Sequence, residues 1–500
     1  MPQPASTAHT PAPPRDVLTR ARPGAALAVT AAATAVALMN YTAPMLTLPD
    51  MAAAFGTPDS ARAWLLNGTP LGLAVLLLVA GSLADAHGRR RIFLLGTLAL
   101  GLTTALGGFA GSTLTFTAAR IAQGAASAAV LAGSLGLLAH AYPAGRDRIR
   151  ATGIWGASVS GGIALGPLLA GALSLVDWRL AYEALGVAAL VIAAVGARTL
   201  PDDRAAKRPV GAGSRPDRAA GGPAPTDPHR DRTAAEPVAA GSRQDLAGAT
   251  ALGLALAALL TALTLGRDGW LRLPVALLLL VSLVLAALFV AVEHRSRTPL
   301  VDPALLRRPA FLASTLGALF TGLAVIGLFS VVPALLQAGA GPGAGPGMSP
   351  LGAAWLFVLW SGTAFLVALQ SRRLAGRLSA PYQLTLGFAL SAAGVLALLG
   401  ALDGPAGSWP RLLPGLVVAG AGSGLLNAAL PRLAVDSVPP ERAAMGSGAN
   451  NTARYIGSSA GVALMLALAA SGPDIAVLVS AALALTGAGI TLALGRRPRP

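Results

Sequence analysis

The sequence predicts an all-α polytopic membrane protein, and three observations predict it. Of its 500 residues 54% are hydrophobic and only 12% are charged, with a mean hydropathy of +0.65, whereas a soluble domain is roughly 45–50% apolar and about 25% charged. Fourteen apolar runs follow one another along the chain, each of about 17–25 residues, long enough to cross about 30 Å of hydrocarbon as a helix. The basic residues concentrate in every second interval between those runs, as the rule that retains arginines on the cytoplasmic side requires.

In order, the spans fall near 25–48, 64–84, 92–111, 115–140, 151–175 and 180–199, then 246–265 and 272–291, then 311–336, 351–370, 383–402, 411–433, 443–469 and 475–494. Their internal periodicity is weak, because helices that touch lipid and one another are apolar all round. Residues 1–23, rich in Pro, Ala and Thr, have no short apolar core before a cleavage site and are expected to be a disordered cytoplasmic tail rather than a secretory signal. The one long hydrophilic interval, 201–244, mixes Pro, Gly, Asp and Arg and has almost nothing to bury, which predicts a flexible cytoplasmic linker. The expected organisation is therefore a six-helix unit over 24–200, a pair of additional helices over 245–292, a second six-helix unit over 293–495 and a short cytoplasmic tail over 496–500.

Counting from a cytoplasmic N-terminus, the inner segments hold 30 basic residues and the outer ones five; without the long linker the contrast is still 21 against five. Both termini are thus placed in the cytoplasm of a multi-pass plasma-membrane protein. The formal charge of +16 forms no soluble basic face, so a nucleic-acid partner is excluded. With no cysteine there is neither a disulfide framework nor thiol chemistry. The five histidines show no catalytic spacing with acids or nucleophiles, which argues against an enzyme.

Between spans 2 and 3 stands Gly81-Ser-Leu-Ala-Asp85-Ala-His-Gly88-Arg89-Arg90-Arg91. Gly81 would let a neighbouring helix approach, Gly88 suits a tight turn at positive φ, and Asp85 beside the arginines could form a charge network that breaks as two halves rock. Span 4 holds Arg120, Gln123 and Gly124 in Phe116-x-x-x-Arg-x-x-Gln-Gly. An arginine inside a span is a functional candidate, but at roughly 7 Å from the span's outer start it could also snorkel to the interface. Span 5 reads Gly162-x-x-x-Gly166-Pro167-x-x-Ala-Gly171; small residues four apart permit close helix contact, and Pro167 frees a backbone carbonyl. Glu183, about one turn into span 6 after Asp177-Trp178-Arg179, is the only acid inside a span. It could face Arg120 and trade a proton for substrate, or serve as a structural ion pair.

These segments resemble the motifs of the major facilitator superfamily, and of its fourteen-span drug:proton antiporter branch in particular. Residues 81–91 match the superfamily's signature loop with Ala86 in place of a frequent basic residue, 116–126 its second motif, and 162–171 the glycine-proline motif of antiporters. Trp178-Arg179, Pro299–Phe311 and Gly446–Arg454 resemble segments of that branch. The resemblance implies two six-helix bundles with two extra central helices, alternating access, export of amphipathic small molecules, no cofactor beyond the proton gradient, and a monomer whose partners are its small-molecule substrate and the bilayer. It also exposes a departure: the branch usually opens span 1 with an acid, where this chain has Asn40, followed by Thr42 and later Leu48-Pro49. Asparagine exchanges no proton, so coupling would fall to Glu183 with Arg120, to Asp50 or Asp436 just beyond span ends, or to the loop acid Asp85. The expected cavity residues are Asn40, Tyr41, Gln123, Trp155, Asn450, Asn451 and Arg454, the last near mid-membrane by helical rise, where it could alternatively bond a carbonyl inside the bundle.

Overall fold

The computed structural model describes residues 23–142, 146–200, 243–266, 269, 271–295, 305, 307–338, 346–375, 378–404, 408–438 and 443–495. The predicted tail and linker, and most of the 299–311 segment, lie outside these. The helices are α1 (Pro23–Thr42), α2 (Pro44–Phe55), α3 (Arg62–His87), α4 (Arg89–Gly108), α5 (Thr113–Ala141), α6 (Arg146–Leu173), α7 (Arg179–Thr199), α8 (Arg243–Leu265), α9 (Leu273–Arg295), α10 (Pro309–Phe320), α11 (Gly327–Gln337), α12 (Pro350–Ala375), α13 (Ala380–Leu396), α14 (Leu412–Asp436), α15 (Ala443–Ala469) and α16 (Pro473–Gly495). Among the described residues eleven stretches are long and apolar enough to cross a membrane, and 250–265 and Ala380–Leu396 are shorter apolar helices. With α3, and with α1–α2 and α10–α11 each counted as one broken rod, the fourteen spans are all helical. In hydrocarbon only such self-bonded segments satisfy the backbone.

The breaks have sequence causes. Pro44 opens α2 without an N–H to give to the carbonyl four residues back, so the chain turns at Ala43 and then runs on to Phe55, past the end expected at 48. Gly56 closes it at φ 59°. Ser112 caps α5, its hydroxyl accepting from the Thr115 amide while Thr115 returns a bond to the Ser112 amide, both 3.2 Å. Between α10 and α11 the rod loosens into a π-turn over Thr321–Ile326. A β-carbon at Gly322 would collide with the Arg454 carbonyl of α15, so this wide turn is pressed directly against that helix.

α1–α7 and α10–α16 form two six-rod bundles that meet along a common seam. α8 lies across that seam against α3 and α15, while α9 packs on α8 with only 11% of its crossing window buried. Leu280, Leu283 and Val284 of α9 face outward, as residues against lipid must. The extra pair thus braces the outside of the seam and leaves the central space to the bundles. Within each bundle glycines set the spacing: a β-carbon at Gly124 of α5 would run into the Thr69 carbonyl of α3.

The candidate transport site

At the heart of the first bundle Arg120 is fully buried and does not snorkel. Its Nη1 donates to the Asn40 carbonyl (2.7 Å), Asn40 Oδ1 (2.9 Å) and Gln123 Oε1 (2.8 Å), and its Nη2 to the Tyr41 carbonyl at 3.4 Å. The Asn40 carbonyl is free because Pro44, four residues on, has no N–H to offer it. The same arithmetic holds at Pro167, which releases the Ile163 carbonyl to the Thr42 hydroxyl at 3.4 Å. Asn40 Nδ2 then donates to Thr104 Oγ1 (3.1 Å) and Gln123 Oε1 (3.2 Å), and Gln123 Nε2 to the Thr103 carbonyl at 3.0 Å. An amide fits here because it both gives and accepts; a carboxylate at this position would only accept. Glu183 is not in this network: Arg120 is satisfied by neutral oxygens, and Glu183 stands partly buried against Gly108, whose added β-carbon would lie 3.2 Å from its Cγ. The expected Arg120–Glu183 facing is therefore corrected, because the arginine points inward to the freed carbonyl and the acid lies on another helix face.

A chamber opens between the bundles. Its wall includes Tyr41 and Thr42 of α1, Ile163 of α6, Phe329 of α11, Trp360 of α12 and Arg454 of α15. Phe329 and Trp360 stack with ring centroids 4.2 Å apart and 8° between planes. Of the expected cavity residues, Tyr41 and Arg454 reach this wall. Asn40 and Gln123 lie behind it in the arginine network. Trp155 Nε1 bonds Thr34 and Ser134 within the first bundle, Asn450 donates to the Ser314 carbonyl at 2.9 Å, and Asn451 is partly buried off the wall. Their helical phase turns them away, which spacing along a single helix could not reveal. Arg454 Nη1 donates to Asn427 Oδ1 at 3.1 Å, a side chain rather than the carbonyl considered above.

The described bonds joining the halves cluster from mid-height toward the Trp178 end. They are Tyr41 hydroxyl with Ser458 Oγ (3.0 Å), Asn67 Nδ2 to the Ser459 carbonyl (3.2 Å) and Gln337 Nε2 to the Leu46 carbonyl (2.9 Å). An apolar plug of Leu48, Met51 and Val462 lies on the same side, backed by edge-to-face contacts of Phe116, Trp178 and Tyr182. Gly171 packs across the seam, where an added β-carbon would fall 2.9 Å from the Pro350 carbonyl. Gly162 and Gly166 instead seat α6 on α1, with added β-carbons 2.5 Å from the carbonyls of Ala35 and Met39.

At the opposite end Gly88 adopts φ 100° between α3 and α4. Arg89 donates to the Gly136 carbonyl (3.3 Å) and Arg90 to the Ala197 carbonyl (2.7 Å), so the loop ties α4 to its own bundle. The Asp85 side chain lies outside the described residues. Gly81 has nothing within 4 Å of an added β-carbon, which corrects the expectation of a close helix approach there. Asp50 lies on α2, within the broken α1–α2 rod, and is partly buried.

Comparison with known proteins agrees with this architecture. Residues 30–239, 246–462 and 315–500 match the family described as the Major Facilitator Superfamily, and the chain belongs to that superfamily. It is thus a multi-pass membrane transporter and not an enzyme. It is 30% identical over 451 residues to the puromycin resistance protein pur8 of Streptomyces alboniger, covering 88% of this chain and 80% of that one. It is 31% identical over 464 residues to the cephamycin export protein CmcT of Amycolatopsis lactamdurans (90% and 86%), and 29% identical over 461 residues to a probable actinorhodin transporter of Streptomyces coelicolor (89% and 72%). A crystal structure of an auto-inhibited POT family peptide transporter shares the fold with a TM-score of 0.64 at 16% identity, over 95% of this chain and 97% of that one.

Proposed function

We propose that the chain exports amphipathic small molecules of the drug or antibiotic kind across the cytoplasmic membrane by alternating access, in exchange for protons and as a monomer. The observation that carries the reading is the chamber at the seam, walled by both bundles and capped by contacts between them on the Trp178 side. The arginine asymmetry supports an orientation with that side outside and both termini in the cytoplasm, in which these contacts close the chamber to the exterior. The names of the relatives, resistance and export proteins among them, support an antibiotic-like cargo. Proton exchange falls to Asp50 and Glu183, both toward the capped end, since among the described residues Arg120 holds neutral partners. Asn40 also favours a second reading, a transporter that runs without protons, whether for such amphiphiles or for lipid and envelope precursors.

The test is accumulation of labelled neutral, anionic and cationic amphiphiles in cells expressing the chain, with and without a protonophore, beside Asp50→Asn and Glu183→Gln. Exclusion that the protonophore collapses and that one of the two variants loses is the expected result. Exclusion indifferent to the protonophore would replace it with the proton-independent reading.

A further inference from the structure

Among the described residues Arg120 is fully buried and Arg454 partly buried, and the protein treats them differently. Arg120 has four oxygens of its own chain around it. Arg454, on the chamber wall, has one among the described residues, Asn427 Oδ1 on Nη1; its Nε and Nη2 are covered and have no partner among them. Those two N–H groups form the side-on edge of the guanidinium, the fork that matches a carboxylate with two parallel bonds. Two more orphaned polar atoms share the same wall, Trp360 Nε1 and Ser423 Oγ. The indole and the guanidinium can only donate. Buried donors are nearly always paired in native proteins, and four orphaned polar atoms on one wall, with no aspartate or glutamate lining it, specify a ligand rich in acceptors. The remainder of the wall is apolar and aromatic, led by the Phe329–Trp360 stack with Phe357 edge-on to Trp360 at 5.2 Å.

We propose that the chamber selects aromatic amphiphiles bearing a carboxylate, which pairs with the Arg454 guanidinium while the ring system lies against Phe329 and Trp360. The inference rests on the export reading above and names its substrate class. A cation, although attracted to aromatic faces, would meet the Arg454 charge in a site of low dielectric with no carboxylate to offset it.

The test uses the purified full-length chain in detergent and three fluorescent probes of one shape: anthracene-9-carboxylate, anthracene-9-carboxamide and anthracene-9-methylammonium. Fluorescence anisotropy is expected to show the carboxylate bound at least about tenfold tighter than either other probe, as a charge-assisted fork of roughly 1.5–3 kcal/mol implies. Arg454→Gln should abolish that preference. Arg454→Lys keeps the charge without the planar fork and should keep discrimination against the ammonium probe while losing much of the preference over the carboxamide. Wild type binding the ammonium probe as tightly as the carboxylate overturns the proposal even if a variant fails to fold, and so does a folded Gln variant that retains the preference. The two readings separate cleanly. A carboxylate preference in vitro with no exclusion of any probe by expressing cells sinks export and leaves the docking site, whereas exclusion of the cation without a carboxylate preference does the reverse.

Discussion

Gly166→Ala is expected to abolish export, whereas Gly161→Ala, the same change five residues earlier on the same helix, leaves it intact. A β-carbon at Gly166 would lie 2.5 Å from the Met39 carbonyl and closer still to the Thr42 hydroxyl, while one at Gly161 meets nothing within 4 Å. The obstacle at Gly166 is α1 backbone, which cannot rotate aside, so α1 and α6 must part. Overpacking of this kind costs about 1–3 kcal/mol, and here it also displaces Thr42 and Ile163 from the chamber wall. At Gly161 alanine gains up to about 1 kcal/mol of helix propensity. Thermal unfolding of the purified variants together with drug accumulation in cells checks the pair, and equal behaviour of the two would show that the close approach of α1 and α6 is not what the motif is for.

Arg120→Gln should carry the next largest effect, with export lost and the melting temperature lowered. The change leaves the carbonyls of Asn40 and Tyr41 and the Asn40 Oδ1 short of donors, each worth about 1–3 kcal/mol when buried and unpaired, while Gln123 Oε1 keeps Asn40 Nδ2. Removing the cation also removes its own desolvation cost, so the net destabilisation should be on the order of 2 kcal/mol rather than the sum. Arg120→Lys is expected to fail as well: one compact ammonium cannot reach both the Asn40 group and the Tyr41 carbonyl as the two ends of a guanidinium do. Full export by the lysine variant would show that charge alone, and not the fork, is what this position supplies.

Much of the fold was legible because membranes impose a coarse rule. Span length and arginine placement mark fourteen helices, and the described helices fall on all of them; the departures, such as α2 running on to Phe55, come from proline positions. The site was legible only in part. Arg120, Tyr41 and Arg454 announce themselves as polar groups in apolar helices, yet their partners lie as much as 417 residues away, as Ser458 does from Tyr41. One local signal was present: Pro44 stands four residues after Asn40, and a proline in that register leaves a carbonyl seeking a donor. The π-turn over Thr321–Ile326, the Phe329–Trp360 stack and the orphaned edge of Arg454 depend on how helices rotate against one another, which apolar sequences without periodicity do not encode.

The central claim is that this chain alone moves amphiphiles through the chamber, and reconstitution tests it most directly. The full-length protein is placed in liposomes, a pH gradient is imposed with the lumen acidic, and entry of a labelled amphiphile is followed with and without an ionophore that dissipates the gradient. Uptake above that of protein-free liposomes, lost with the gradient and lost in Gly166→Ala, is the predicted result. Uptake equal to that of protein-free liposomes under every condition would contradict the account.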